Sequence, residues 1–195
     1  MSGLKPAIFL DRDGTLNVDA GYLDRKERLT LFPWSLESVR LLRRAGYAVV
    51  VVTNQGGVAR GMVEESFVEE VHGILQSRLA DIGEELDGHY YCPHDPAASI
   101  EAFRVDCDCR KPKPGMVTRA VRDLGLDIKR SVVIGDKWSD VRLAKQTGAR
   151  SVLVRTGYGR SQEKIRQEGL SADVVVDTLM DAVSWILRHP VTAIQ

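Results

Sequence analysis

Ala7-Ile8-Phe9-Leu10-Asp11-Arg12-Asp13-Gly14-Thr15 is the stretch from which the fold can be read. Four apolar residues in a row, without alternation, mark a short strand buried on both faces. Two carboxylates two residues apart follow at its carboxyl end, and then a glycine suited to a tight turn.

The pattern recurs outward along the chain. Residues 36–45 predict a helix, with Ser35 as N-cap and Gly46 as its stop. The β-branched run at 48–52 predicts a strand. Residues 64–82 place Phe67, Val71, Ile74, Leu75 and Leu79 at helical spacing. Further strands are expected at 88–91, 131–134, 151–154 and 174–176, with helices at 115–124, 139–147, 162–168 and 179–187. Strands alternating with helices imply a doubly wound, mainly parallel α/β sheet with right-handed crossovers. Such sheets bind ligands beyond the carboxyl ends of their strands. Those ends carry Asp11 and Asp13, then Thr53-Asn54-Gln55, then Gly135-Asp136, all polar.

The totals bound the function. The 195 residues carry 27 basic and 27 acidic side chains, so nothing in the overall charge attracts nucleic acid or an anionic membrane, and anion binding must be local. The apolar run 7–10 is too short for a signal core or a membrane span. The expectation is one domain over 1–195, monomeric and cytoplasmic.

One carboxylate of the Asp11–Asp13 pair can attack phosphorus, while the other protonates the leaving oxygen and then deprotonates water. A carboxylate approaching a phosphate dianion is opposed by roughly 4 kcal/mol per unit charge at about 4 Å and an effective dielectric near 20. Cations must offset this. Asp11 and Asp136 can hold Mg²⁺, Lys111 can add a charge, and Thr53 with Asn54 can donate to phosphoryl oxygens. Asp140 reads equally as a support for Asp136 and as a first-turn acid facing the helix dipole.

The set Asp11-Arg12-Asp13-Gly14-Thr15, Thr53, Lys111 and Gly135-Asp136-Lys137-Trp138-Ser139-Asp140 resembles the four ordered motifs of the haloacid dehalogenase superfamily. The resemblance implies a Rossmann-like core, Asp11 as nucleophile and Asp13 as general acid and base. It also implies Mg²⁺ on Asp11, Asp136 and the Asp13 carbonyl, with Thr53 and Lys111 steadying the phosphoryl group. Lys113 is a rival for the lysine role. No insertion between the motifs leaves room for a cap domain, so residues 16–34 and the loop after residue 91 are the candidates to cover a substrate.

That loop holds every cysteine of the chain. Cys92-x-His94 and Cys107-x-Cys109 form a Cys₃His quartet of the structural zinc type, within an inserted loop at 92–109. In extended backbone, residues two apart point the same way, so each pair can serve one ion. The polar Asp95, Asp106 and Asp108 argue against core cysteines. Zinc would then hold the loop and deliver Arg110 and Lys111 to the site.

Together with residues 18–22, 53–61 and 91–94, this loop resembles the heptose bisphosphate phosphatases of the superfamily, which remove the C7 phosphate in making ADP- or GDP-heptose precursors of lipopolysaccharide. That likeness implies a sugar bisphosphate substrate touched by Asp19, Ala20, Gly21, Tyr22, Thr53, Asn54, Gln55, Arg110, Lys111 and Lys137, with Arg110 on the distant phosphate. Histidinol-phosphate phosphatases share the motifs and the clamp, though with a shorter loop. A receiver-type phosphoacceptor switch is a different class, which has no use for Asp13. Residues 160–169 read as a lid or an ordinary amphipathic helix.

Overall fold

In the computed structural model, which describes residues 4–165 and 167–190, six strands form one parallel sheet in the order β3-β2-β1-β4-β5-β6. They are β1 (Lys5–Leu10), β2 (Ala48–Asn54), β3 (Gly88–Cys92), β4 (Leu126–Gly135), β5 (Arg150–Val154) and β6 (Val174–Val176). The helices are α1 (Ser35–Arg44), the single turn α2 (Gly56–Ala59), α3 (Glu65–Ala80), α4 (Gly115–Leu124), α5 (Trp138–Thr147), α6 (Gly159–Lys164) and α7 (Leu179–Arg188). Chain order runs outward from β1 to β3, then returns to the other side of β1 for β4. The strand order therefore reverses beside β1, where an open α/β sheet forms its crevice.

The period-two alternation of β1 divides the core. Ile8 and Leu10 face Val39 and Leu42 of α1 and Leu179, Val183 and Ile186 of α7. Ala7 and Phe9 face Met116, Val117 and Ala120 of α4 and Leu143 and Ala144 of α5. Both sets are fully buried, as the unbroken apolar run requires.

Several local expectations are corrected. Ser35 is the first residue of α1, not its cap. Trp34 holds the cap position without a side-chain bond, and Ser35 Oγ instead donates to the Leu16 carbonyl at 2.6 Å. The hydroxyl thus satisfies a buried carbonyl from residues 16–34 and ties that segment to α1. The expected helix at 162–168 lies earlier, at Gly159–Lys164, and position 166 is outside the described residues. Its start is fixed by packing. A Cβ on Gly159 would come within 1.7 Å of the Val154 carbonyl oxygen. β4 extends back to Leu126, whose partner is Lys5.

The β1–β4 register shifts between Pro6 and Ile8, which takes the Ala7 amide out of the ladder. Ser131 Oγ repairs this, accepting from Ala7 N at 2.9 Å and donating to Asp127 O at 2.6 Å. Ser131→Ala leaves a buried amide and a carbonyl unpaired. We expect a loss of about 1–3 kcal/mol in urea unfolding, with little change in catalysis.

Candidate active site

The carboxyl ends of β1, β2 and β4 converge on a cavity of about 550 Å³. Asp11, Asp13, Asp19, Thr53, Lys111 and Lys137 all line it. Lys111 is its hub. The ammonium, fully buried, lies 2.9 Å from Asp11 Oδ1 and 2.7 Å from Asp140 Oδ1, and donates to the Val52 carbonyl at 2.9 Å. Burial alone would lower the Lys111 pKa, but Asp11 and Asp140 raise it, so the charge is held. Its rival Lys113 is half-exposed and paired with Asp106, outside the cavity.

Asp13 stands at the mouth of a hydrogen-bonded nest. Arg12 donates to it from Nη2 at 2.8 Å, Asn17 from Nδ2 at 2.8 Å and Gln55 from Nε2 at 2.9 Å. Burial pushes its pKa up, yet the Arg12 charge and these donors outweigh burial and hold it below the usual carboxylate value. The resting Asp13 is ionised. Thr53 Oγ accepts from the same Gln55 amide at 2.9 Å.

Asp136 is fully buried behind Asp11. Its Oδ2 accepts from Tyr158 N at 2.7 Å, while Oδ1 has no hydrogen-bond partner and lies 3.6 Å from Lys137 Nζ. Gly14 and Gly157, both at positive φ, make this possible: a Cβ on either would come within 2.2 Å of Asp136 Oδ2. Burial and the Asp11 charge push Asp136 up to about 7. Asp11, Asp136 and Asp140 offer oxygens within 4.8 Å of one another. Three buried carboxylates against two ammonium groups, with Asp136 Oδ1 and Asp140 Oδ1 both lacking a hydrogen bond, fit a hard divalent cation. Asp140 takes the first-turn position of its sequence reading, accepting from Lys137 N at the start of α5, and its other contact is with Lys111, not Asp136.

The four proposed zinc ligands are brought together. Sγ separations are 3.5 Å for Cys92–Cys107, 3.0 Å for Cys92–Cys109 and 3.2 Å for Cys107–Cys109, with His94 Nδ1 3.4 Å from Cys109 Sγ. A tetrahedral Zn–S site sets S···S edges of about 3.8 Å, so the quartet needs to open only by several tenths of an ångström. Burial and the hydrogen bond with Cys109 push the Cys92 thiol up, so a bound ion must displace its proton. The loop is joined to β2 next to these ligands. Gln55 N donates to Cys92 O at 2.8 Å, and Asn54 bridges the Lys111 backbone through both its amide atoms.

The bridge uses one Nδ2 proton and the Oδ1 of Asn54, which itself lines the cavity. Among the expected substrate contacts, Asp19, Gly21, Tyr22, Gln55 and Arg110 line the cavity, whereas Ala20 does not. The Ala20 carbonyl accepts from Arg28. Arg110 is braced by the His94 carbonyl at 2.8 Å and by Asp95 at 3.2 Å. Among the polar lining residues, Arg60, Asp95, Ser139 and Tyr158 had been given no substrate contact from the sequence. Tyr158 follows the end of β5, a strand end to which the same rule applies. Lys137 Nζ lies 4.7 Å from the centroid of its ring. Tyr22 packs where it does because position 57 is glycine, since a Cβ there would meet its ring at 2.9 Å.

Paired aspartates on a Rossmann-like sheet, with a buried lysine and an acid cluster, are the site of a haloacid dehalogenase-like hydrolase, and the profile described as HAD-hydrolase-like matches residues 108–182. The D-glycero-β-D-manno-heptose-1,7-bisphosphate 7-phosphatases of Salmonella typhi and Escherichia coli K12 are each 44% identical to this chain. The alignments cover 94% of it in both cases, and 96% and 95% of those proteins. The D,D-heptose 1,7-bisphosphate phosphatase of B. bronchiseptica, solved with magnesium and phosphate, superposes with a TM-score of 0.82 at 32% identity, covering 94% of this chain and 98% of that one. The chain belongs to this phosphatase family.

The Asp136 environment makes a pH-dependent prediction. A carboxyl with a folded-state pKa raised from 3.8 to about 7 favours the fold below pH 4, and that contribution is lost as pH rises through 7. In the absence of metal, Tm should fall across this window. Added Mg²⁺ should raise Tm more at pH 8 than at pH 5, as scanning calorimetry can establish, and an equal rise at both would contradict this account of Asp136.

Proposed function

We propose that the chain is a Mg²⁺-dependent phosphatase that removes the C7 phosphate of D-glycero-β-D-manno-heptose 1,7-bisphosphate, in the supply of activated heptose for lipopolysaccharide. In this reading it works as one monomeric domain in the cytoplasm, with 92–109 as an inserted zinc loop. No helix among the described residues is long and apolar enough to cross a membrane.

The observation that carries the substrate class is a second cationic group in the same cavity. Arg60 and Arg110 both reach Asp95 Oδ2, at 3.3 and 3.2 Å. Two guanidinium groups on one carboxylate leave a surplus positive charge, and a planar fork suits a phosphate. A substrate with one phosphate at Asp11 and another near these arginines satisfies both groups. Histidinol phosphate would bring a cation to the second.

Arg12 N and Lys111 Nζ both contact Asp11 Oδ1, which leaves Oδ2 as the atom that attacks phosphorus. As the aspartyl-phosphate bond forms, the phosphorus–oxygen bond to C7 breaks. The departing oxygen takes a proton from Asp13. The resting Asp13 is ionised, but an arriving phosphate dianion raises its proton affinity by repulsion, so Asp13 takes up that proton from solvent as substrate binds. Asp13 then accepts a proton from water as that water attacks the aspartyl-phosphate, releasing inorganic phosphate and restoring Asp11. Mg²⁺ on Asp11, Asp136 and the Asp13 carbonyl would neutralise charge on the phosphoryl oxygens. Lys111, Thr53 and Lys137 surround the same oxygens, and zinc on Cys92, His94, Cys107 and Cys109 would hold the loop bearing Arg110.

The decisive assay is phosphate release, with Mg²⁺, from the β and α anomers of the heptose bisphosphate and from histidinol phosphate. The β bisphosphate should lead the others in kcat/KM. Preference for histidinol phosphate would overturn the substrate and leave the chemistry standing. Asp11→Asn should abolish turnover with zinc content unchanged. Cys107→Ala should lose zinc and raise KM more than it lowers kcat.

A further inference from the structure

Three metal-ligating side chains lie together outside the cavity and have no part in the chemistry above. Glu69 and His72 are three residues apart on α3, so they share a helix face. His89, on β3, lies against them. One donor atom from each of Glu69, His72 and His89 lies within 4.8 Å of the other two.

His72 is the informative member. It is 1% exposed, and neither ring nitrogen has a hydrogen-bond partner. A buried polar group left unpaired costs about 1–3 kcal/mol, so such a residue calls for a compensating interaction. Burial, helped by the Arg12 and His89 charges, keeps its imidazole neutral with a lone pair available. The His89 ring is adjacent, with centroids 4.5 Å apart, and His89 Nε2 lies 3.4 Å from Glu69 Oε2. That last separation matches the edge of a tetrahedron with bonds of about 2.0–2.1 Å, as for zinc with nitrogen and oxygen donors. Glu69 and His89 are exposed and can rotate to close the remaining distance to His72.

We propose that Glu69, His72 and His89 form a site for a divalent transition-metal ion of the zinc class, separate from the cysteine quartet and from the Asp11–Asp136 cluster. Two imidazoles and one carboxylate prefer such an ion to Mg²⁺. The fourth position, on the exposed side, is open to water. The ion joins α3 to β3, which among the described residues is an edge strand paired with β2. The proposal is independent of which phosphate ester the enzyme hydrolyses.

The test begins with protein carrying one zinc per chain in the cysteine loop, in excess Mg²⁺ to occupy the acid cluster. Calorimetric titration with Zn²⁺ should show one further equivalent, with Kd on the order of micromolar, and a rise in Tm on binding. His89→Ala and Glu69→Gln, both at exposed positions, should weaken that equivalent roughly tenfold or more and keep the first zinc. With Co²⁺ as the probe, the second equivalent should lack the sulfur-to-cobalt absorption that marks a thiolate site. Absence of a second equivalent would overturn the proposal. So would one that both variants retain unchanged, or one that shows the thiolate band.

Discussion

The ammonium of Lys111 supports the whole arrangement. It donates to the Val52 carbonyl of β2 and forms ion pairs with Asp11 at the end of β1 and Asp140 in the first turn of α5. A buried ammonium is strongly penalised unless it is fully paired, and here the pairing joins separate layers of the fold. The nucleophile is fixed by the same contact that links β1 to the loop carrying the lysine. Loss of that charge would leave Asp11, Asp136 and Asp140 facing one another without Lys111 between them.

Position matters as much as charge, and the cysteine loop supplies it. Residues between β3 and α4 are anchored at one end by Ala98 and by Phe103, which packs on Val58, Val63 and Val68, and at the other by the sulfur cluster and polar ties. Asn54 clasps the Lys111 backbone, Gln55 bonds to Cys92, and Arg110 braces the His94 carbonyl. The ligand cluster is therefore part of the same hydrogen-bonded unit as the catalytic end of β2.

Much of this was legible in the sequence, for physical reasons. Strands buried on both faces leave continuous apolar runs, and the polar residues that end those runs lie where a doubly wound sheet forms its crevice. Asp11, Asp13, Thr53 and Asp136 could be found in that way. What the sequence concealed was set by tertiary contacts. α2 starts with two glycines and has little helical propensity of its own; it fits because Gly57 makes room for Tyr22 and Val63. Ser35 has the composition of a cap but serves a carbonyl nineteen positions away. The charged segment Asp127–Arg130 reads as a loop, yet it extends β4 beside the start of β1. The pairing of Arg60 with Asp95 spans distant segments and leaves no periodic trace.

The strand order also has a consequence during synthesis. One neighbour of β1, the strand β2, emerges from the ribosome soon afterwards, but the other, β4, begins at Leu126. Until it arrives, the nascent sheet ends at β1, whose four fully apolar residues present an unpaired edge suited to wrong association. The cysteine loop precedes β4 in the chain, so a metal captured there would organise β2 and β3 while that edge still waits. Zinc supply would then influence the yield of folded chains as well as the affinity of finished ones.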